Sequence, residues 1–286
     1  MILIDGKKTA ATIEKRIQND IIKQARNRPP GLAFILVGDN SGSKTYIKMK
    51  KRKCAEVGIL SFDHELPAST TEEKLLQIIQ ELNENSSIDG ILIQLPLPPH
   101  ISTLKAMEAI DPNKDVDGFH PFNMGKLLLG EDNTFYPCTP HGVIVLLHDY
   151  NIAVAGQHVV IVGRSNIVGK PLAAMLMQKN SLANATVSVV HSATKNIKQI
   201  CLTADILIVA MGMAHYIDAS YIKPNAVVID VGINRKEGKI VGDVHFESVA
   251  KKAAYLTPVP GGVGPMTIAM LLSNTWASYL KNASVG

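Results

Sequence analysis

The sequence predicts an α/β protein of two domains, each built on a parallel sheet. Three observations predict it. Strand-sized apolar runs alternate with helix-period segments along nearly the whole chain. A turn-rich stretch, Asp111–Thr139, interrupts that alternation near its middle, with Asp111-Pro112, Asp117-Gly118, Pro121, Gly125, Gly130, Pro137 and Pro140. The length of 286 residues suffices for two well-filled cores.

The elements follow in order. Phe34–Val37 is the first strand, and the segment after it, carrying Tyr46 and Lys50, reads as a helix. Thr70 with Glu73 three residues on is a capping-box pattern, and Leu75, Ile78, Ile79 and Leu82 then mark one apolar helix face. Ile91–Leu95 is the next strand. Beyond the turn-rich stretch come Val159–Val162, Val187–Val190, Ile206–Ala210 and Val227–Val231. Such continuous Val/Ile runs suit parallel strands covered on both faces. A last helix begins around Pro265, where a proline fits the first turn.

Composition narrows the class. Apolar residues make up 46% and charged residues 19%, ordinary values for a globular domain, and the net charge of +4 suits an anionic small ligand without arguing for nucleic acid. The longest apolar runs are strand-sized, so no membrane span is expected. The start, Met1-Ile2-Leu3-Ile4-Asp5-Gly6-Lys7-Lys8, lacks a signal-peptide layout. Cys54, Cys138 and Cys201 are odd in number and far apart, which fits free thiols in a reducing cytoplasm. The histidines show no metal-ligand spacing, and no metal is expected.

A nucleotide site is legible after Val159–Val162. There Gly163-Arg164-Ser165-Asn166-Ile167-Val168-Gly169-Lys170-Pro171 forms a glycine turn leading into a helix, a place for a phosphate. It is neither GxGxxG nor a P-loop. The next strand ends in His191-Ser192, without the acid that would accept from a ribose 2′-hydroxyl. Arg164, Ser165 and Ser192 could instead hold a 2′-phosphate, which favours NADP over NAD. A solvated surface role for Arg164 is the alternative. Met211-Gly212 and Gly232-Ile233-Asn234 follow later strands, where such sheets bind ligands.

A second constellation lies in the first half. Tyr46 and Lys50 are spaced to share one helix face. Such a pair can move protons where burial or nearby positive charge weakens the hold of an amine on its proton. The neighbouring Lys48, Lys51, Arg52 and Lys53 equally read as a solvated basic face. Gln94 is a polar amide in an apolar strand, either a satisfied structural amide or one that orients a neighbour. Asp115 and Asp117 share a compact loop, where a ligand-binding carboxylate and a turn-capping one fit equally. Finally, Thr257-Pro258-Val259-Pro260-Gly261-Gly262-Val263-Gly264-Pro265-Met266-Thr267 reads as a turn that brings bare backbone against a ligand, or as a structural corner.

Taken jointly, these segments closely resemble the bifunctional methylenetetrahydrofolate dehydrogenase/cyclohydrolase family. The resemblance spans nearly the whole chain. It rests on Val37-Gly38 with Ser43, Tyr46 and Lys50; on Asp89–Pro98; on Pro112–Pro121; on Pro137-Cys138-Thr139-Pro140; on Gly163–Pro171; and on Pro258–Thr267. Gly42, Met213 and His245 stand where the family commonly has Ala, Pro and an acid, and none of them carries the chemistry.

The resemblance implies a folate-binding catalytic domain over 1–138 plus 265–286 and a Rossmann-like NAD(P)-binding domain over 139–264. It implies oxidation of 5,10-methylenetetrahydrofolate with NADP+, then hydrolysis of the methenyl product to 10-formyltetrahydrofolate. Lys50 would be the acid/base group, with Gln94 bonded to it, Tyr46 stacked on the folate and Asp117 holding the pterin. Ile93, Leu95, Pro260, Gly261, Gly262, Val263 and Gly264 would line the folate side. Gly163, Arg164, Ser165, Ser192 and Ile233 would line the cofactor side. A homodimer in the cytoplasm is implied too, with no nucleic-acid or membrane partner. A shikimate-dehydrogenase-like enzyme and a non-catalytic nucleotide-binding module compete, but neither needs the Tyr46/Lys50/Gln94/Asp117 set.

Overall fold

The computed structural model describes residues 1–25 and 27–283. Its elements run β1 (Ile2–Leu3), α1 (Gly6–Gln24), β2 (Gly31–Val37), α2 (Ser41–Val57), β3 (Leu60–Leu66), α3 (Glu72–Glu84), β4 (Gly90–Ile93), α4 (Thr103–Glu108) and α5 (Pro121–Leu129). They continue with α6 (Cys138–Asp149), β5 (His158–Val162), α7 (Gly169–Met177), β6 (Thr186–Val190), α8 (Ile197–Cys201), β7 (Ile206–Val209) and β8 (Val227–Asp230). β9 (Asn234–Lys236), β10 (Lys239–Val241), α9 (Phe246–Val249), β11 (Tyr255–Leu256) and α10 (Val263–Ala283) complete the chain. Two compact units result. The first comprises Met1–Ala11, Leu127–Asp132 and Pro137–Thr267; the second comprises Thr12–Lys126, Asn133–Tyr136 and the chain from Ile268 onward.

The second unit holds a three-stranded parallel sheet, ordered β3-β2-β4. Its central strand β2 is buried at every position. Against this sheet α3 lays Leu75, Ile78, Ile79 and Leu82, which join Ala33, Ile35, Ile91 and Ile93 in one core. Each of the leucines and isoleucines contributes about 1.5–3 kcal/mol by leaving water. The helix starts one residue later than the sequence suggests. Thr71, not Thr70, is the N-cap and accepts from the Lys74 amide, because the Thr70 hydroxyl is engaged with the Pro67 carbonyl.

The first unit holds a six-stranded parallel sheet, ordered β1-β11-β8-β7-β5-β6. β5, β7 and β8 are buried almost throughout, as their unbroken Val/Ile runs require. The N-terminal strand belongs here, paired through Ile2 with Tyr255, whereas the sequence reading keeps residues 1–138 together. A two-residue strand has no period to read. The registers matter for function: Val162 pairs with Val190 and with Val209, and Val209 with Asp230. Four neighbouring strands therefore end at one level and release their loops side by side. Among the described residues no helix is long and apolar enough to cross a membrane.

Candidate active site

In the second unit, α2 begins at Asn40, whose side chain accepts from the Ser43 amide. The helix turns Ser43, Ile47, Lys50 and Cys54 inward. Lys50 is only 5% exposed. Its Nζ donates to Gln94 Oε1 at 3.2 Å and lies 5.6 Å from the centre of the Tyr46 ring. Tyr46 is half-buried, and burial raises its phenol so that it stays neutral. One turn on, burial pushes the Cys54 thiol up to about 12, which leaves it inert.

Gln94 sits just past β4, its amide still bonded to the Ile35 carbonyl at 2.9 Å. Its Nε2 donates to the Leu95 carbonyl at 2.9 Å, and the Ser43 hydroxyl reaches the same carbonyl at 3.4 Å. The side-chain amide is thereby fixed with its oxygen toward Lys50. Ile93 is buried beside it and Leu95 half-buried. The basic run around Lys50 is largely neutralised at the surface. Lys51 pairs with Asp63 at 2.5 Å, Arg52 with Glu56 at 2.9 Å, and Lys53 with Glu14 and Glu56 at 2.8 Å. Only the amine of Lys50 turns into the unit from this run.

The structure separates the two acids of the 114–118 loop. Asp115 is the turn-capping one, accepting from the amides of Gly118, Phe119 and His120 and from Asn123 Nδ2. Burial pushes its carboxyl up to about 6. Asp117 is half-buried within the turn that Asp115 caps. Residues that sequence reasoning missed hold the loop in place. Lys114 Nζ donates to the Leu82, Asn83 and Asn85 carbonyls at the end of α3. Asn274 donates to the Val116 carbonyl, and Ser278 to those of Asp89 and Asn113. The Ile91 amide donates to the Lys114 carbonyl at 2.8 Å, so the loop runs along β4, whose end carries Gln94.

In the first unit, Gly163 has φ +127°, and a Cβ there would stand 2.1 Å from the Ala210 carbonyl oxygen. Only glycine can make this turn. Arg164, Ser165 and Ser192 are exposed, at the carboxyl ends of adjacent β5 and β6. The Ser165 oxygen accepts from the Val168 and Gly169 amides just ahead of α7, and its hydroxyl proton is still available to donate. Ile233 is half exposed beyond β8. A guanidinium and two hydroxyls, with no carboxylate following β6, form a donor set that fits a dinucleotide bearing a 2′-phosphate.

The Pro258–Thr267 run is in part a corner. Its Gly261 carbonyl accepts from the Lys7 amide at 3.1 Å, and a Cβ on Gly6 would stand 1.8 Å from the Gly262 oxygen. The close approach these glycines permit is thus made by the start of α1. Gly261, Gly262 and Val263 are buried, Gly264 is half-buried and Pro260 is exposed.

Comparison with known proteins gives one consistent result. The tetrahydrofolate dehydrogenase/cyclohydrolase catalytic-domain family matches residues 4–117, and the NAD(P)-binding-domain family of the same enzymes matches residues 137–283. The chain is 54% identical to the bifunctional protein FolD of Halalkalibacterium halodurans, over 96% of this chain and 97% of the relative. It resembles the crystal structure of the bifunctional FolD enzyme, methylenetetrahydrofolate dehydrogenase/cyclohydrolase, of Campylobacter jejuni, with TM-score 0.95 and 48% identity, covering 98% of this chain and 99% of that one. It also resembles the Trypanosoma brucei dehydrogenase-cyclohydrolase solved with NADP cofactor and an inhibitor, with TM-score 0.92 and 39% identity, covering 99% and 98% of the two chains.

Proposed function

This chain belongs to the tetrahydrofolate dehydrogenase/cyclohydrolase family, and from that premise we propose how its own residues divide the work. The enzyme oxidises 5,10-methylenetetrahydrofolate to 5,10-methenyltetrahydrofolate with NADP+ and hydrolyses the product to 10-formyltetrahydrofolate, a step of one-carbon metabolism. NADP+, when bound, supplies the hydride acceptor. Arg164, Ser165 and Ser192 hold its 2′-phosphate side, Gly163 lets the turn pass close to β7, and Ile233 offers an apolar contact.

The observation that carries the assignment of roles is the buried Lys50 amine fixed by Gln94. Tyr46 presents its neutral ring to the flat pterin-derived portion of the folate. Leu95 and the backbone of Ile93, whose side chain is in the core under α3, flank Gln94 beside the substrate, and Asp117 accepts hydrogen bonds from the pterin. In the hydrolytic step, water adds to the methenyl carbon and loses a proton; N5 takes a proton up as its bond to that carbon breaks, and the carbon's hydroxyl gives up its proton as it becomes the formyl carbonyl, so one proton is released overall. Lys50 is the group that relays these protons, and Gln94 keeps its amine aimed. A pterin-binding carboxylate held within a capped turn places the substrate against the amine.

A coupled assay with methylenetetrahydrofolate and each cofactor tests the reading. It should show NADPH and methenyl absorbance rising together with NADP+, and methenyl decay thereafter. Turnover of shikimate instead would defeat it. The enzyme works as a homodimer in the cytoplasm, and light scattering of the purified protein should give twice the chain mass.

A further inference from the structure

The loops that follow β7 and β8 are tied together by one buried carboxylate. Asp243 is fully buried. Its Oδ2 accepts from the amides of Met211 at 2.7 Å and Gly212 at 2.9 Å; its Oδ1 accepts from the Met213 amide and from Asn234 Nδ2, both at 2.8 Å. Three consecutive backbone donors thus converge on one side chain, and the fourth donor comes from the next loop. Charge-assisted bonds of this kind are the strong ones.

Asp243 is itself held from the sheet. Asp230, the last residue of β8, accepts from the amides of Gly232 and Asp243 at 3.0 Å and of Val244 at 2.9 Å. The 242–244 segment then receives the chain beyond the loop, since the His215 amide donates to the Gly242 carbonyl and Ile217 bridges to Val244. Two glycines make room for the carboxylates. A Cβ on Gly232 would stand 2.2 Å from Asp243 Cγ, and one on Gly242 would stand 1.8 Å from Asp230 Oδ2. Gly232 therefore serves the carboxylate lattice, where its place at a strand end would by itself suggest ligand contact.

The tied loop is not interior. Gly212 and Met213 are exposed, and nothing lies within 4 Å of a Cβ position on Gly212. An exposed loop needs no buried charge to satisfy its amides, because water would do so. Four bonds from a buried carboxylate instead set the course of backbone at the carboxyl ends of a parallel sheet, where ligands of such sheets bind.

We propose that Asp243 is a positioning residue for NADP, fixing the Met211–Met213 and Ile233–Asn234 backbones as one preformed wall of the cofactor site. The inference rests on the reading that the strand ends of this unit bind the dinucleotide. Asp243→Asn keeps the side chain's shape but removes its charge and, in either orientation of the amide, sets an NH2 group against at least one of the three backbone donors. NADP titration followed by fluorescence should show its dissociation constant rise about 10- to 100-fold, the range for losing one charge-assisted bond. Hydrogen exchange at Met211–Met213 should quicken. Hydrolysis of preformed methenyltetrahydrofolate, which uses no cofactor, reports that the other unit stays intact. Asn234→Ala deletes one of the four bonds and should move the constant in the same direction by less; it decides the matter if the Asp243→Asn variant does not fold. Faster exchange with unchanged NADP affinity in either variant overturns the positioning role. Failure of the unaltered enzyme to bind NADP overturns instead the cofactor reading beneath it.

Discussion

Lys50 Nζ on α2 and Gln94 Oε1 beyond β4 stand 3.2 Å apart, joining two elements that are 44 residues apart in sequence. The bond aims a buried amine. Replacing it with the apolar Lys50→Met should abolish hydrolysis of methenyltetrahydrofolate, a loss of about 10²–10⁴-fold for a general acid/base. Stability should change little, since the buried amine is exchanged for an apolar side chain of similar length and Gln94 keeps its bond to the Leu95 carbonyl. Stopped-flow decay of methenyl absorbance and a melting curve check both. Near-normal hydrolysis would remove Lys50 from the chemistry.

Gln94→Leu tests the aim alone. The amine stays, its acceptor goes, and the Leu95 carbonyl loses one of its donors. We expect hydrolytic kcat to fall about 10-fold or more while the folate KM changes little, the signature of lost orientation. A rise in KM with kcat intact would make Gln94 a binding group instead.

What the sequence disclosed follows from burial and range. β2, β4, β5, β7 and β8 were legible as continuous apolar runs because both faces are covered. β3 was not, because Leu60–Leu66 is an edge strand whose exposed Asp63 and Glu65 break the pattern. β9 and β10 form an exposed hairpin of mostly polar residues. In the site, Tyr46 and Lys50 are local and could be paired from spacing. The loop's spacing alone leaves Asp115 and Asp117 equal and only the family resemblance singles out Asp117, while nothing near Asp243 in sequence points to Met211, 32 residues away.

Arg164 is exposed at the end of β5 beside the carboxylate-free end of β6. Arg164→Ala should raise the KM for NADP+ about 10- to 100-fold, the value of a charge-assisted contact to phosphate, and leave any NAD+ KM nearly unchanged. Initial rates with both cofactors measure this. Equal effects on the two would show that the guanidinium does not read the 2′-phosphate.

The Asp115 carboxyl gives the fold a pH signature. Burial lifts it from 3.8 in the unfolded chain to about 6 in the folded one. The folded state therefore binds this proton more tightly, so its contribution to stability is complete below pH 3.8 and is lost as pH rises through 6. Asn123 moderates the loss by donating to the carboxylate at 2.8 Å. Asn123→Ala removes that donor and pushes the folded value higher still. Its destabilisation should thus be smallest near pH 4 and grow by about 1 kcal/mol by pH 8, since a bond to a charged acceptor exceeds one to a neutral acceptor by roughly that much. The part of the cost that comes from lost bonds to Pro112 and Thr134 stays constant across this range. Urea denaturation of both proteins across pH 4–8 gives the difference curve. A flat curve would mean that the ionised Asp115 gains nothing from Asn123, and that the cap of the turn around Asp117 is held by the backbone amides alone.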